Sequence, residues 1–175
     1  MVKILQIQRS KRCVKSALRM SIIKFVLKDN ANLPVKANET DSGYDIVATS
    51  INVHDELKYV EYGTGLFISS MPKHLEMELR PRSSISKYDL IMCNSPGTID
   101  VDYRGEIKVR FKLIPTLSIL KQSKTKLDIE LFTIYELGDK IAQMIIREKT
   151  KVRLVSTDVL EDESNRGGGF GSTGN

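Results

Sequence analysis

"EIKVRFKLI", residues 106–114, alternates without a break: Ile107, Val109, Phe111 and Leu113 fall on one side, and Lys108, Arg110 and Lys112 on the other. Successive side chains of a strand point to opposite faces, so this is a strand with one face in a core and one in water. The same period recurs along the chain. "SIIKFVL" puts Ile23, Phe25 and Leu27 on one face, and "HLEMELRP" does so with Leu75, Met77 and Leu79. "DIELFTIY", "KIAQMIIR" and "KVRLVS" are further strand candidates, the second also fitting a short helix by composition. Short strands broken by turn signals at this density predict an all-β sandwich or barrel. Helical periodicity is scarce, no βαβ alternation appears, and no internal repeat is found.

The chain has 175 residues, enough for one domain that buries a core without disulfides or structural metals. Cys13 and Cys93 show no pairing pattern, which predicts a reducing compartment such as the cytoplasm. His54 and His74 stand far from each other and from both cysteines, so no zinc spacing exists. No apolar run approaches the roughly 18 residues of a membrane helix, and no signal-peptide core is found, so no membrane partner is expected.

The net charge of +5 looks like a nucleic-acid signal until its position is read. Lys3, Arg9, Lys11, Arg12, Lys15 and Arg19 crowd the first 20 residues, which hold no acid. The remainder has 21 bases against 22 acids and a net charge of −1, so the body is not a nucleic-acid module. The sequence thus divides into a basic leader at 1–20, expected to be disordered, a β-barrel body at 21–163 and a glycine-rich arm at 164–175. The leader reads first as a stretch upstream of a start at Met20. An organelle-import sequence or a charged arm for nucleic acid or membrane surfaces are lesser readings. "KLIPTLSILKQSKTKLD", 112–128, interrupts the strand rhythm and reads as a long loop or hairpin extension.

Five segments carry the candidate chemistry. The arm "RGGGFGSTGN" holds five of the eleven glycines, so consecutive N–H groups can form an anion-binding nest. Arg166, Ser172 and Thr173 add donors suited to phosphate, and Phe170 can stack on a base. It is no P-loop, because it lacks the lysine and no helix follows it. "RPRSSISKY", 80–88, offers Arg82, Ser83 and Ser84 in a turn after Pro81, for phosphate or simply for capping. In "TDSGYDIVA", 40–48, Asp45 opens a strand opposite Ile46 and Ala48, where it suits either a hydrated Mg²⁺ or an Asx turn. In "LGDKIAQMII", 137–146, Gln143 is the uncharged polar side chain of an apolar strand and needs a partner. In "PGTIDVDYRGEI", 96–107, Asp100, Asp102 and Glu106 surround Tyr103. Read as one arm of a hairpin, 98–103 sends Asp100 and Asp102 to one face and Ile99, Val101 and Tyr103 to the other, with Arg104-Gly105 at the turn. An acidic hairpin rim and a working base beside a pocket both stand open.

Taken together, "DSGYDI", "RPRSSIS", "GTIDVDYRGEI", "GDKIAQMI" and "RGGGFGSTG" resemble, in order and spacing, the five motifs of the trimeric dUTP diphosphatase (dUTPase) family. The resemblance covers Ser21 to Asn175. It implies a distorted, jelly-roll-like β-barrel forming a homotrimer with active sites shared between subunits. It implies hydrolysis of dUTP to dUMP and pyrophosphate with Mg²⁺, which keeps uracil out of DNA and supplies dUMP for thymidylate synthesis. By position, Asp100 would deprotonate the attacking water, and Tyr103 would pack beneath the deoxyribose and exclude a 2′-hydroxyl. Asn94, Gly97, Thr98, Ile99 and the Lys108 backbone would read uracil within the hairpin. Arg82, Ser83, Ser84 and Gln143 would contact phosphates, and Asp45 would meet Mg²⁺ through water. Arg166, Gly171, Ser172 and Thr173 would hold the terminal phosphates, with Phe170 covering the uracil. The chain departs from the pattern in the leader, in the long 112–128 connection, and in a fifth motif one residue short between Arg166 and Phe170. Two rivals share the scaffold: a dCTP deaminase, and a regulatory protein that binds dUTP as a switch.

Overall fold

The computed structural model describes residues 20–28, 30–54, 59–122 and 129–159. Most of the basic leader and the whole glycine-rich arm, with Arg166, Phe170, Gly171, Ser172 and Thr173, lie outside the described residues. The strands are β1 (Lys24–Leu27), β2 (Tyr44–Val47), β3 (Ser50–His54), β4 (Tyr59–Ser70), β5 (Leu75–Pro81), β6 (Leu90–Met92), β7 (Gly97–Ile99), β8 (Glu106–Leu113) and β9 (Lys140–Glu148). One antiparallel sheet runs β1-β4-β8-β6 with β3 also on β4, and the other runs β2-β9-β5-β7. The 12-residue β4 is shared along its length, its first half lying between β3 and β8 and its second half pairing with β1.

The alternation seen in sequence builds the core. Ile107, Val109 and Phe111 of β8 are fully buried, as are Met77 and Leu79 of β5 and Ile141 and Ala142 of β9. They meet between the sheets with Tyr62 of β4, giving the expected jelly-roll-like barrel of apolar inner faces. Tyr62 lies edge-on to Phe111 at 5.7 Å and donates its hydroxyl to the Tyr135 carbonyl at 3.0 Å. That bond satisfies a phenol whose ionisation burial suppresses.

Several expectations change. "DIELFTIY" forms no strand: a 3₁₀ turn at Ile129–Leu131 leads into an irregular segment. Phe132 and Tyr135 are pulled inward three residues apart, a spacing no strand face provides, and Tyr135 packs against Tyr88 with the rings tilted and their centroids 3.9 Å apart. "KVRLVS" also stays outside the sheets, with Val152, Leu154 and Val155 exposed; alternation alone makes no strand without a ladder partner. In β1 the register shifts between Lys24 and Phe25, and Leu27 is exposed while Ile23 and Phe25 pack against the core. The long connection is not only loop, since Leu117–Gln122 is a short helix, α1, seated by Ile119; residues 123–128 lie outside the described residues.

The largest correction concerns 97–113. β7 pairs with β5 in one sheet, Ile99 opposite Met77, whereas β8 pairs with β4 and β6 in the other. The expected hairpin is therefore a corner between sheets, closed locally by the Tyr103 N–H donating to the Asp100 carbonyl at 3.1 Å. Arg104 Nη1 donates to the carbonyls of Val101 and Tyr103, both at 2.9 Å. A cleft opens where the two sheets part.

Candidate active site

The sequence-predicted residues that the structure describes gather in two places. The first lies at the β2–β9 edge. Asp45 sits opposite Gln143 across the ladder and is only 5% exposed. Arg82, leaving β5 next to that edge, donates Nε to Asp45 Oδ1 at 3.0 Å, and the Lys140 ammonium lies 2.8 Å from Oδ2. Arg82 Nη1 also reaches the Lys140 carbonyl at 3.3 Å and Ser84 Oγ at 3.4 Å. Burial pushes the Asp45 carboxyl up, but Lys140, Arg82 and Gln143 outweigh it and hold the group below its ordinary range. Asp45 is thus an ionised acceptor held by two cations.

Arg82 caps a 3₁₀ turn, Ser83–Lys87, that replaces the simple turn expected there. Ile85 N–H donates to the Arg82 carbonyl and Tyr88 N–H to the Ile85 carbonyl, both at 3.0 Å. The tilted Tyr88–Tyr135 ring contact pins the end of this turn to the core. Ser84 joins the Arg82 cluster, whereas Ser83 is exposed and offers its carbonyl to Ser86 Oγ at 3.2 Å.

The second place is the cleft at the sheet corner, about 430 Å³ in volume. Asn94, Thr98, Ile99, Asp100, Tyr103 and Lys108 all line it. Gly97 is buried against Asn94. Asp100 is exposed to the cleft, and the Tyr103 ring is 41% exposed with its hydroxyl tied to the Glu106 carbonyl at 2.9 Å. Such a space, with Tyr103 among its walls and polar side chains around it, suits a planar base and its sugar.

Sequence reasoning missed Cys93, Glu106 and Arg110 as cleft walls, and Glu61 beneath them. Glu61, 6% exposed, accepts from Lys108 Nζ at 2.8 Å and Arg110 Nε at 2.7 Å. Burial raises its carboxyl pKa, and the two cations more than reverse this. Lys108 and Arg110 sit two apart on the exposed face of β8, and that spacing was legible; their shared carboxylate on β4 was not. Lys140 was likewise missed, because its ion pair depends on the β2–β9 register.

No group of three or more His, Cys, Asp or Glu side chains able to hold a metal occurs among the described residues. One buried carboxylate fits a hydrated Mg²⁺ that substrate phosphates would hold in the main, and does not fit a dehydrated ion. No hydrogen bond or ion pair among the described residues joins the Asp45 cluster to the cleft.

A family model described as dUTPase matches residues 29–174. A deoxyuridine 5'-triphosphate nucleotidohydrolase of Cytophaga hutchinsonii is 39% identical over 167 residues, covering 94% of this chain and 99% of its own. One from Rickettsia typhi is 36% identical, covering 89% and 99%. Among solved structures, the Staphylococcus bacteriophage 80alpha dUTPase with dUPNHPP superposes with a TM-score of 0.67 at 25% identity, covering 87% of this chain and 98% of that one. A mutant dUTPase from phage phi11 of S. aureus, whose structure details the coordination of a structural Mg(II) ion, gives 0.59 at 23% identity, covering 81% and 99%. With the family model spanning most of the chain, and the Asp45 cluster and the Asp100–Tyr103 cleft standing on the matching fold, the chain belongs to the dUTPase family.

Proposed function

We propose that the protein hydrolyses dUTP to dUMP and pyrophosphate, keeping uracil out of DNA and supplying dUMP for thymidylate synthesis. The observation that carries this is the cleft in which Asp100 and Tyr103 stand beside Asn94, Thr98 and Ile99. Tyr103 would support the deoxyribose, with its ring leaving no room for a 2′-hydroxyl. Asn94, the 97–99 main chain and the Lys108 main chain would read the uracil edge. Asp100 would take a proton from water as its oxygen bonds to the α-phosphorus; the α–β bridging P–O bond breaks, and its electrons leave with pyrophosphate. Arg82, Ser84 and Gln143 would hold phosphate oxygens, with Lys140 as a further cation at the same edge, and Asp45 would accept from the waters of Mg²⁺. When bound with substrate, Mg²⁺ supplies charge neutralisation along the triphosphate.

The separation of the two clusters within one chain favours a homotrimer in which one copy's Arg82 cluster faces another's cleft. The arm at 164–175 would close that shared site, with Phe170 over the base and Arg166, Gly171, Ser172 and Thr173 on phosphates. The reducing-compartment reading of the cysteines would put the reaction in the cytoplasm or a similar setting. Asp100→Asn tests the assigned base. Turnover of dUTP should fall by about three orders of magnitude or more, with binding of a non-hydrolysable dUTP analogue retained in calorimetry. Normal turnover in that variant removes Asp100 from the mechanism.

A further inference from the structure

Glu106 ties a bulge in β4 to the corner that carries Tyr103 and Asp100, and its carboxylate has no part in the reaction outlined above. On β4 the ladder to β8 jumps: Gly63 pairs with Lys108, but the next pair is Phe67 with Glu106. Three residues of β4, 64 to 66, therefore stand against Ile107 alone, and the bulge leaves amides without ladder partners. The Glu106 carboxylate supplies them. Its Oε1 accepts from both Thr64 N–H and Gly65 N–H at 3.0 Å. Gly65 is at φ +63°, and a Cβ there would lie 2.2 Å from the Lys28 carbonyl oxygen, so the bulge has one conformation to hold. The Thr64 hydroxyl donates to the Ile107 carbonyl at 2.6 Å, which fixes the residue next to Glu106 from the other side.

The main chain of Glu106 faces the cleft. Its carbonyl accepts the Tyr103 hydroxyl at 2.9 Å. Gly105, between them, admits no side chain: a Cβ would stand 2.5 Å from the Tyr103 hydroxyl oxygen and 2.7 Å from the ring carbon bearing it. The Tyr103 N–H in turn bonds the Asp100 carbonyl. A continuous path thus runs from the β4 bulge through the Glu106 carboxylate and carbonyl to the Tyr103 ring and the corner that carries Asp100.

We infer that Glu106 is a positioning residue for sugar discrimination, its carboxylate anchoring the start of β8 so that the Tyr103 ring stays against the sugar site. This rests on the proposed role of Tyr103. The carboxylate touches no reacting atom, and its effect passes through backbone. Shortening or removing it frees the 103–106 corner, and a ring displaced by a fraction of an ångström admits a 2′-hydroxyl.

The test is kcat/KM for pyrophosphate release from dUTP and from UTP, with Mg²⁺, in the wild type, Glu106→Ala, Glu106→Asp, Glu106→Gln and Tyr103→Ala, with thermal unfolding of each. Glu106→Ala and Glu106→Asp should lower the dUTP-to-UTP ratio on the order of tenfold or more, mostly by gain on UTP and a raised KM for dUTP. Glu106→Gln, whose amide oxygen accepts the same two bonds, should restore the ratio. Should Glu106→Ala fail to fold, Glu106→Asp decides. A ratio that falls in Tyr103→Ala but stays at the wild-type value in Glu106→Asp, whatever the loss of rate, overturns the inference and leaves the reading of Tyr103 intact. A wild type with no preference for dUTP overturns that reading and the inference with it.

Discussion

Two carboxylates, Asp45 and Glu61, are buried at 5% and 6% exposure, each between two cations. Their ordinary pKa values are 3.8 and 4.5, and both are lowered in the fold, where the cations outweigh burial. A group whose folded pKa is depressed adds stability above its unfolded pKa and loses it as pH falls through the folded value. Both pairs are therefore intact at neutral pH and give way in acid. Glu61→Gln should lower the melting temperature at neutral pH and flatten its fall toward about pH 3, because the group that titrates is gone. Melting curves from about pH 3 to 7 check this, and an unchanged acid limb in the variant contradicts it. Of the residues at this scale, Asp100, Tyr103, Asp45, Arg82 and Gln143 were legible because five short motifs fix their order. Lys140 and Glu61 were not, and Glu106 was legible only as one of three carboxylates around Tyr103, since each acts through a partner on another strand, about 40 to 95 positions away in sequence.

At the element scale, the strands read best from sequence are those with one wet and one dry face. β8 and β5 alternate because the opposite side of each sheet meets water or charged groups, and their buried residues were all named from period alone. Phe111 is fully buried and contacts both Tyr62 and Tyr135. Phe111→Ala should cost about 3–5 kcal/mol in denaturant unfolding with little change in m-value, and a loss under 1 kcal/mol would mean that the β8 face is not the core. Where pairing is long-range the sequence misled. The run 97–107 has the alternation and the Arg104-Gly105 turn of a hairpin, but β5 captures β7 and β4 captures β8, so the corner becomes a cleft wall. "DIELFTIY" failed for a different reason: packing of Phe132 and Tyr135 overrode the local pattern.

At the scale of the whole molecule, each chain carries an Asp45–Arg82–Lys140 cluster and a separate Asp100–Tyr103 cleft, and the proposed chemistry needs both around one nucleotide. A trimer with shared sites meets that need. Sedimentation equilibrium at assay concentrations should give three times the 19.8 kDa chain mass. An active monomer contradicts the shared site. The charge distribution fits a small anionic substrate better than a polyanion, since the body nearly balances its acids and bases. The proposed function requires the cleft to select a uracil base on a deoxyribose triphosphate. Pyrophosphate release measured side by side from dUTP, dCTP, dTTP and UTP with Mg²⁺, with ammonia followed in the dCTP arm, reads that selectivity. kcat/KM for dUTP should exceed that for each of the others by about a hundredfold or more, with no ammonia. Equal rates on the four nucleotides, or ammonia from dCTP, would contradict it.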